Sequence, residues 1–315
     1  MRTVLVVQPI HPDGLSLLAA RPDVRIVQPD GPSPDAVMPH MAAAEAALLR
    51  AAPFPAELVR AAPALRIVSR HGVGLDNVPL DLCRERGVVV THVGDVNAVP
   101  VAEHTLALLL AVVKQVPAYD RAVREGGYRI RESNGIGELD GRTLLILGLG
   151  RIGRRVARLA AAFSMRCLGY DPAMSAEGIR ALGCEPVEDW RAALPEADAL
   201  TLHLPLTPET RNLVGPAELA RMRPSAVLVN CARGGLVDEV ALDRALRDGA
   251  LFGAGLDVTE REPPPGDHPL LANPLAILSP HAAALTAECA RRMAMRSAQN
   301  ILDFFDGRLD PAFVA

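Results

Sequence analysis

The sequence predicts an α/β protein made of two doubly wound parallel-sheet domains. Short apolar, β-branched runs alternate with Ala/Leu/Arg stretches of helical period along the whole chain, the βαβα pattern of a parallel sheet covered on both faces. The alternation is interrupted once, after residue 100, by a long apolar segment, and then restarts. A chain of 315 residues, half of them hydrophobic and 22% charged, is also too long for one small core and sufficient for two.

In chain order, strands are expected at Thr3 to Gln8, Val24 to Gln28, Ala46 to Leu49, Arg66 to Ser69 and Val88 to His92, with helical segments such as Pro55 to Ala62 between them. The interruption is Val101-Ala102-Glu103-His104 followed by Thr105 to Val113, apolar enough for a buried or interface helix. Glu103 and His104 are expected to stabilise that helix or a subunit interface. The second cycle predicts strands at Thr143 to Leu147, Arg166 to Tyr170, Ala199 to Leu204, Ala226 to Asn230, Leu251 to Gly255 and Ile277 to Ser279. Six strands with intervening helices are the parts of a dinucleotide-binding domain. A last helix is expected over Ala287 to Phe305.

Several function classes are disfavoured. A net charge of −4 supplies no long-range field for nucleic acid or an anionic membrane. The longest apolar run falls far short of the ~20 residues that cross a bilayer. The first residues, Met1 to Val7, run straight into a strand with no leader pattern, which predicts a cytoplasmic protein. Five scattered cysteines, with no C-x-x-C pair, suit reduced buried thiols and predict neither a disulfide framework nor a metal site.

The sharpest local signal is Gly148-Leu149-Gly150-Arg151-Ile152-Gly153, directly after one predicted strand and opening the helix Arg154 to Ala162. Gly148 permits a tight turn, Gly150 lets the backbone approach a pyrophosphate, and Gly153 lets helix and strand pack closely. The helix start adds free N–H groups and a positive dipole end. The next strand ends at Asp171, where a carboxylate can accept hydrogen bonds from ribose hydroxyls and repel a 2′-phosphate. No arginine follows in Pro172-Ala173-Met174, so NAD is predicted over NADP.

Three further stretches put ionisable residues just after predicted strands: Asn230-Cys231-Ala232-Arg233-Gly234-Gly235, Gly255 to Pro263 and Leu278-Ser279-Pro280-His281-Ala282-Ala283. Reduction of an oxo acid needs a cation for the carboxylate and carbonyl, an acid for the nascent alkoxide, and a carboxylate to orient that acid. Arg, His and Glu fit those roles. With Arg70-His71-Gly72-Val73-Gly74-Leu75-Asp76-Asn77-Val78, with Asn97 and Val101 to His104, and with His203 to Thr210, these stretches make the chain resemble the D-isomer-specific 2-hydroxyacid dehydrogenases nearly from end to end. The branch it most resembles is that of phosphoglycerate dehydrogenase and hydroxypyruvate reductase.

The resemblance implies a Rossmann NAD-binding domain (residues 101–282) inserted into a flavodoxin-like substrate domain (1–100 and 283–315). It implies hydride transfer between NAD and C2 of a small 2-oxo or 2-hydroxy acid of the hydroxypyruvate, glyoxylate or 3-phosphoglycerate type. Arg233 would bind the substrate carboxylate and carbonyl, His281 would be the acid/base, and Glu262 would pair with His281, with Glu260 as the alternative. Gly72, Val73 and Gly74 would cradle the carboxylate. His71 would contact substrate or cap a turn, and Arg50 would read the far end of the substrate or lie on the surface. Asp257, Cys231 and Ala232 would sit near the nicotinamide, Cys231 being open also to reading as a packed thiol. His203, Pro205 and Thr210 would line the adenine side. The resemblance further implies a homodimer. The reading from another class is an NAD-sensing, co-repressor-like binding protein without turnover.

Overall fold

A computed structural model describes residues 1–133 and 135–315, and the chain divides into two compact units: Met1–Asn97 with Leu285–Ala315, and Ala98–Ala284. In the first unit, β1 (Arg2–Val6), β2 (Val24–Val27), β3 (Ala46–Leu49), β4 (Ile67–Arg70) and β5 (Val89–Thr91) form one parallel sheet in the order β2-β1-β3-β4-β5. That is the flavodoxin-like order. Successive strand residues face opposite sides, so Val4, Val6, Leu48 and Ile67 bury against α1 (Pro12–Ala19) and the C-terminal helix Ala287–Phe305, through Leu18, Ala298 and Ile301. Leu5, Ala47, Leu49 and Val68 bury on the other side under α2 (Pro34–Met41), α3 (Ala56–Arg60) and α4 (Leu80–Glu85), through Val37, Leu58 and Cys83. A Cβ at Gly14 would stand 2.8 Å from the Ala294 carbonyl oxygen, which is how closely α1 lies on the C-terminal helix.

The second unit opens with α5 (Ala98–Val113) and α6 (Val116–Arg124). Its strands are β6 (Thr143–Leu147), β7 (Arg166–Tyr170), β8 (Glu185–Pro186), β9 (Ala199–Leu202), β10 (Val227–Asn230), β11 (Gly253–Leu256) and β12 (Ala276–Leu278). All are parallel, in the order β12-β11-β10-β9-β6-β7-β8, so the sheet reverses direction of growth at β6, as in Rossmann domains. Where six strands were expected, the described residues hold seven. The addition, β8, has two residues and includes Pro186, which an edge strand accommodates because proline has no N–H to donate inward. The helices α7 (Gly153–Ala162), α8 (Ala176–Ala181), α9 (Trp190–Ala193), α10 (Pro216–Leu219) and α11 (Glu239–Arg247) complete the unit, and Ala287–Phe305 is α12.

Leu144 and Ile146 face α5 and α7 through Leu108, Leu109, Val156 and Ala160, while Leu145 and Leu147 face the side holding Trp190, Leu219, Leu242 and Leu246. The apolar stretch after Glu103 is thus a core helix of its own unit. No single helix among the described residues is long and apolar enough to cross a membrane.

Candidate active site

The loops that leave β6, β7, β9, β10, β11 and β12 at the C-terminal edge of the second sheet each carry a residue singled out by sequence. After β6, Gly148 takes φ +89°, and a Cβ there would meet the His203 carbonyl oxygen at 2.6 Å. Gly153, the first residue of α7, lies against the Gly148 carbonyl, with no room for a Cβ. Gly150 differs: it is exposed, and a Cβ would meet nothing within 4 Å. Space is therefore kept in front of the helix start where a pyrophosphate could reach the backbone, with Arg151 exposed and Ile152 half-buried beside it.

Asp171 follows β7, and its carboxylate accepts from the Leu149 N–H at 2.8 Å and the Ala173 N–H at 2.9 Å. It is fixed to the glycine turn, with lone pairs left for a ribose. His203 follows β9. Both its ring nitrogens are sealed without a partner among the described residues, although the residue keeps some exposed surface, and burial holds its pKa down at about 4. A neutral, packed ring is the result. The Thr210 hydroxyl donates to the Pro205 carbonyl at 2.8 Å, closing the turn that follows.

After β10, the Asn230 side chain accepts from the Ala232 N–H at 3.0 Å and donates to the Arg233 carbonyl at 2.7 Å, shaping the loop that presents Arg233. The Arg233 guanidinium donates to the Ala232 carbonyl at 2.7 Å. Gly234 packs directly on the Thr259 carbonyl, so the loops after β10 and β11 touch with no side chain between them. Cys231 is buried, which pushes its thiol up to about 12 and leaves it protonated near neutral pH.

His281 follows β12 and takes the left-handed conformation, φ +52°. Its Nδ1 lies 2.7 Å from Glu262 Oε2, and both side chains are exposed to solvent. Glu260 instead pairs with Arg211 at 2.5 Å, so Glu262 is the carboxylate on the imidazole. The loop carrying His281 is held by Asp257, which is 1% exposed. Its carboxylate accepts from the Ser279 hydroxyl (2.5 Å), the Ala282 N–H (2.8 Å) and the Ala283 N–H (2.9 Å), and the Asp257 carbonyl accepts from the His281 N–H (2.7 Å). His104, from α5, reaches Ser279 Oγ at 2.9 Å. Since the Ser279 hydrogen goes to Asp257, His104 Nε2 is the donor. The sequence predicts that His104 stabilises α5 or a subunit interface; its link to Ser279 spans 175 residues, a separation that no local motif reports.

The first unit carries its own cluster. The His71 N–H donates to the Leu49 carbonyl at 2.8 Å, and His71 is 5% exposed with Nε2 unpartnered among the described residues. Burial first, then Arg50 and Arg70, lower its pKa to about 4. The Arg70 guanidinium lies against Gly72 and donates to the His71 carbonyl at 2.7 Å. Arg50 donates to the Pro9 carbonyl at 3.0 Å. Gln8 accepts from the Arg50 and Ala52 N–H groups, and Asn77 donates to the Arg50 and Ala52 carbonyls, so two amides bind this loop from both sides. Val73 and Gly74 are half-buried at the turn.

The second unit thus falls in the class of dinucleotide-binding domains, and its imidazole–carboxylate couple stands on the ligand edge of that fold. Residues 106–283 match the family model described as D-isomer specific 2-hydroxyacid dehydrogenase, NAD binding domain. Over 322 residues the chain is 39% identical to the glyoxylate reductase of Aeropyrum pernix, covering 99% of this chain and 95% of that one. It is 36% identical over 310 residues to the D-3-phosphoglycerate dehydrogenase of Methanocaldococcus jannaschii, covering 98% of this chain and 58% of the relative. The chain therefore spans little more than half the length of that dehydrogenase. Among solved structures, the TT0316 protein from Thermus thermophilus superposes with a TM-score of 0.90 at 36% identity, 99% of each chain being covered. D-Lactate dehydrogenase from Aquifex aeolicus, complexed with NAD and lactic acid, gives 0.87 at 28% identity, with 98% and 96% covered. The chain belongs to the D-isomer specific 2-hydroxyacid dehydrogenase family.

Proposed function

We propose that the protein is an NAD-dependent D-2-hydroxyacid dehydrogenase, and that the observation carrying this reading is the His281–Glu262 couple on the sheet edge that also holds the glycine turn. Gly148, Gly150, Gly153 and Asp171 would hold the nucleotide. NAD, when bound, supplies or removes the hydride at C2. His281 keeps Nδ1 on Glu262, which leaves Nε2 to give its proton to the substrate oxygen during reduction and to take it back during oxidation. Arg233 binds the carboxylate and polarises the carbonyl, and the neighbouring backbone of Cys231 and Ala232 borders the nicotinamide. Asp257 acts by fixing the conformation of the His281 loop.

In the first unit, Val73 and Gly74 would offer backbone N–H groups to the substrate carboxylate. Arg50 and Arg70, which both act on His71, favour an acid with a second anionic group. A 3-phosphoglycerate type of substrate satisfies this; hydroxypyruvate and glyoxylate are the smaller options. The exposed apolar side chains Val116, Val123, Tyr128 and Ile136 support a homodimer, and the family's metabolic chemistry supports a cytoplasmic location.

A panel of 2-oxo acids assayed for NADH consumption tests the reading. His281→Ala and Arg233→Ala should each lower turnover at least ~100-fold, the usual scale for a lost acid/base or oxyanion contact. Tight NADH binding with no turnover of any acid would replace the enzyme by an NAD-sensing protein.

A further inference from the structure

The loop from Thr259 to His268 carries Glu262 and contains no helix or strand. Yet Glu262 meets His281 at hydrogen-bond distance, so something must hold that loop. Internal bonds close only local turns: the Thr259 hydroxyl donates to the Arg261 carbonyl at 2.8 Å, the His268 N–H donates to the Pro265 carbonyl at 2.9 Å, and the Thr259 N–H reaches Glu262 Oε1 only at 3.4 Å. The stronger anchor lies below, in the first turn of α11.

Glu239, 8% exposed, accepts the Glu260 N–H on Oε1 at 2.6 Å, and its Oε2 lies 2.7 Å from His268 Nε2. One buried carboxylate therefore binds the chain on both sides of Glu262, at 260 and at 268. His268 Nδ1 is sealed and has no partner among the described residues. A hydrogen there would be buried without an acceptor, so Nε2 carries it and donates to Glu239.

We propose that Glu239 and His268 form a buried staple that positions Glu262 against His281, making both of them positioning residues for the acid/base step. The inference rests on the functional reading above, in which Glu262 orients His281. The charged groups around the staple are Glu260, paired with Arg211, and Asp243, paired with Arg247 one turn along α11. Asp238 caps the helix start through the Ala241 N–H. Burial raises the Glu239 pKa, and the Glu260 N–H and His268 oppose that rise. Removing the His268 donor lets burial act with less opposition. A protonated Glu239 would then hold the loop less firmly, and the acid limb of the rate profile would move to higher pH.

The test compares His268→Leu with His268→Gln, whose amide N–H can replace the lost donor. Loosening of the couple should lower kcat of His268→Leu by about 10- to 100-fold, the scale of an ångström-sized misplacement. Its acid limb should shift upward while the Kd for NADH, read by fluorescence, stays within about threefold. His268→Gln should recover most of kcat and the original limb. Hydrogen exchange at the Glu260 amide gives a readout independent of turnover, and it should quicken in His268→Leu alone. Unchanged exchange and pH profile in His268→Leu would overturn the staple, as would a His268→Gln protein equally impaired. Loss of NADH binding in His268→Leu would also overturn it, marking the pair as part of the domain's general fold. Absence of turnover in the unaltered enzyme would overturn the dehydrogenase reading instead, and exchange at Glu260 would still decide the staple.

Discussion

Alanine at Gly150 and alanine at Gly153 probe the nucleotide cradle in opposite ways. A Cβ at Gly150 meets nothing within 4 Å, and the residue is not in the left-handed region. Gly150→Ala should therefore leave the unliganded fold intact and, by restricting the unfolded chain, stabilise it by about 0.4–1 kcal/mol. For a chain of this size that is a rise in Tm of roughly 1–3 °C. The same methyl stands where a phosphate oxygen must come close to the backbone. Displacing it from the helix-start N–H groups should weaken NADH binding at least ~10-fold, or about 1.4 kcal/mol. Gly153→Ala places its methyl on the Gly148 carbonyl. It should open the turn, cost about 1–3 kcal/mol of stability as overpacking does, and weaken NADH binding as well. The two variants thus differ in the sign of the stability change and agree in the sign of the affinity change. Thermal unfolding without nucleotide, paired with NADH fluorescence titration, measures both. A Gly150→Ala protein that binds NADH as tightly as the parent would show that the pyrophosphate does not approach this turn.

Asp171→Ala should narrow the preference for NAD over NADP, because it removes the carboxylate that a 2′-phosphate would meet; kcat/KM ratios for the two cofactors measure it, and an unchanged ratio would place ribose recognition elsewhere. Acid should destabilise the unliganded protein through His71 and His203. Their folded pKa values of about 4 lie below the ordinary 6.5, so the unfolded chain binds protons first. Stability is then complete above about pH 6.5 and is lost as pH falls toward 4, by about 3 kcal/mol per histidine at most. Urea unfolding across this range should show the slope, and replacing both histidines with asparagine should flatten it; a slope unaffected by the replacements would assign acid lability to the carboxylates.

Strand positions such as Ala46–Leu49, Thr143–Leu147 and Arg166–Tyr170, and the helix Ala287–Phe305, are legible because short apolar runs and a stretch of helical period alternate along the chain. Ends elsewhere differ by one or two residues, because the residue pattern does not mark where the ladder bonds stop. The two-residue strand β8 carries too short a pattern to read. In the site, the glycine turn and Asp171 are local and therefore visible. Glu262 is preferred over Glu260 in sequence because it directly precedes a proline, as the family resemblance implies, whereas the pairing of Glu260 with Arg211, 49 residues away, is not legible there. The supports supplied by His104, Ser279, Glu239 and His268 escape the sequence in the same way as the Arg211 contact: each depends on a partner brought close only by the fold.

The φ of +52° at His281 has an experimental corollary. The imidazole occupies a left-handed backbone geometry that most side chains enter at a cost of about 1 kcal/mol or more, and that asparagine, aspartate and histidine enter more readily than alanine. Truncation to alanine therefore alters two things at once, the ring and the ease with which the peptide holds this bend. Asparagine removes the ring yet visits the bend readily. A comparison of His281→Asn with His281→Ala separates lost proton transfer from a disturbed peptide path, and glycine at the same place would show how much of the bend the Asp257 hydrogen bonds impose without help from any side chain.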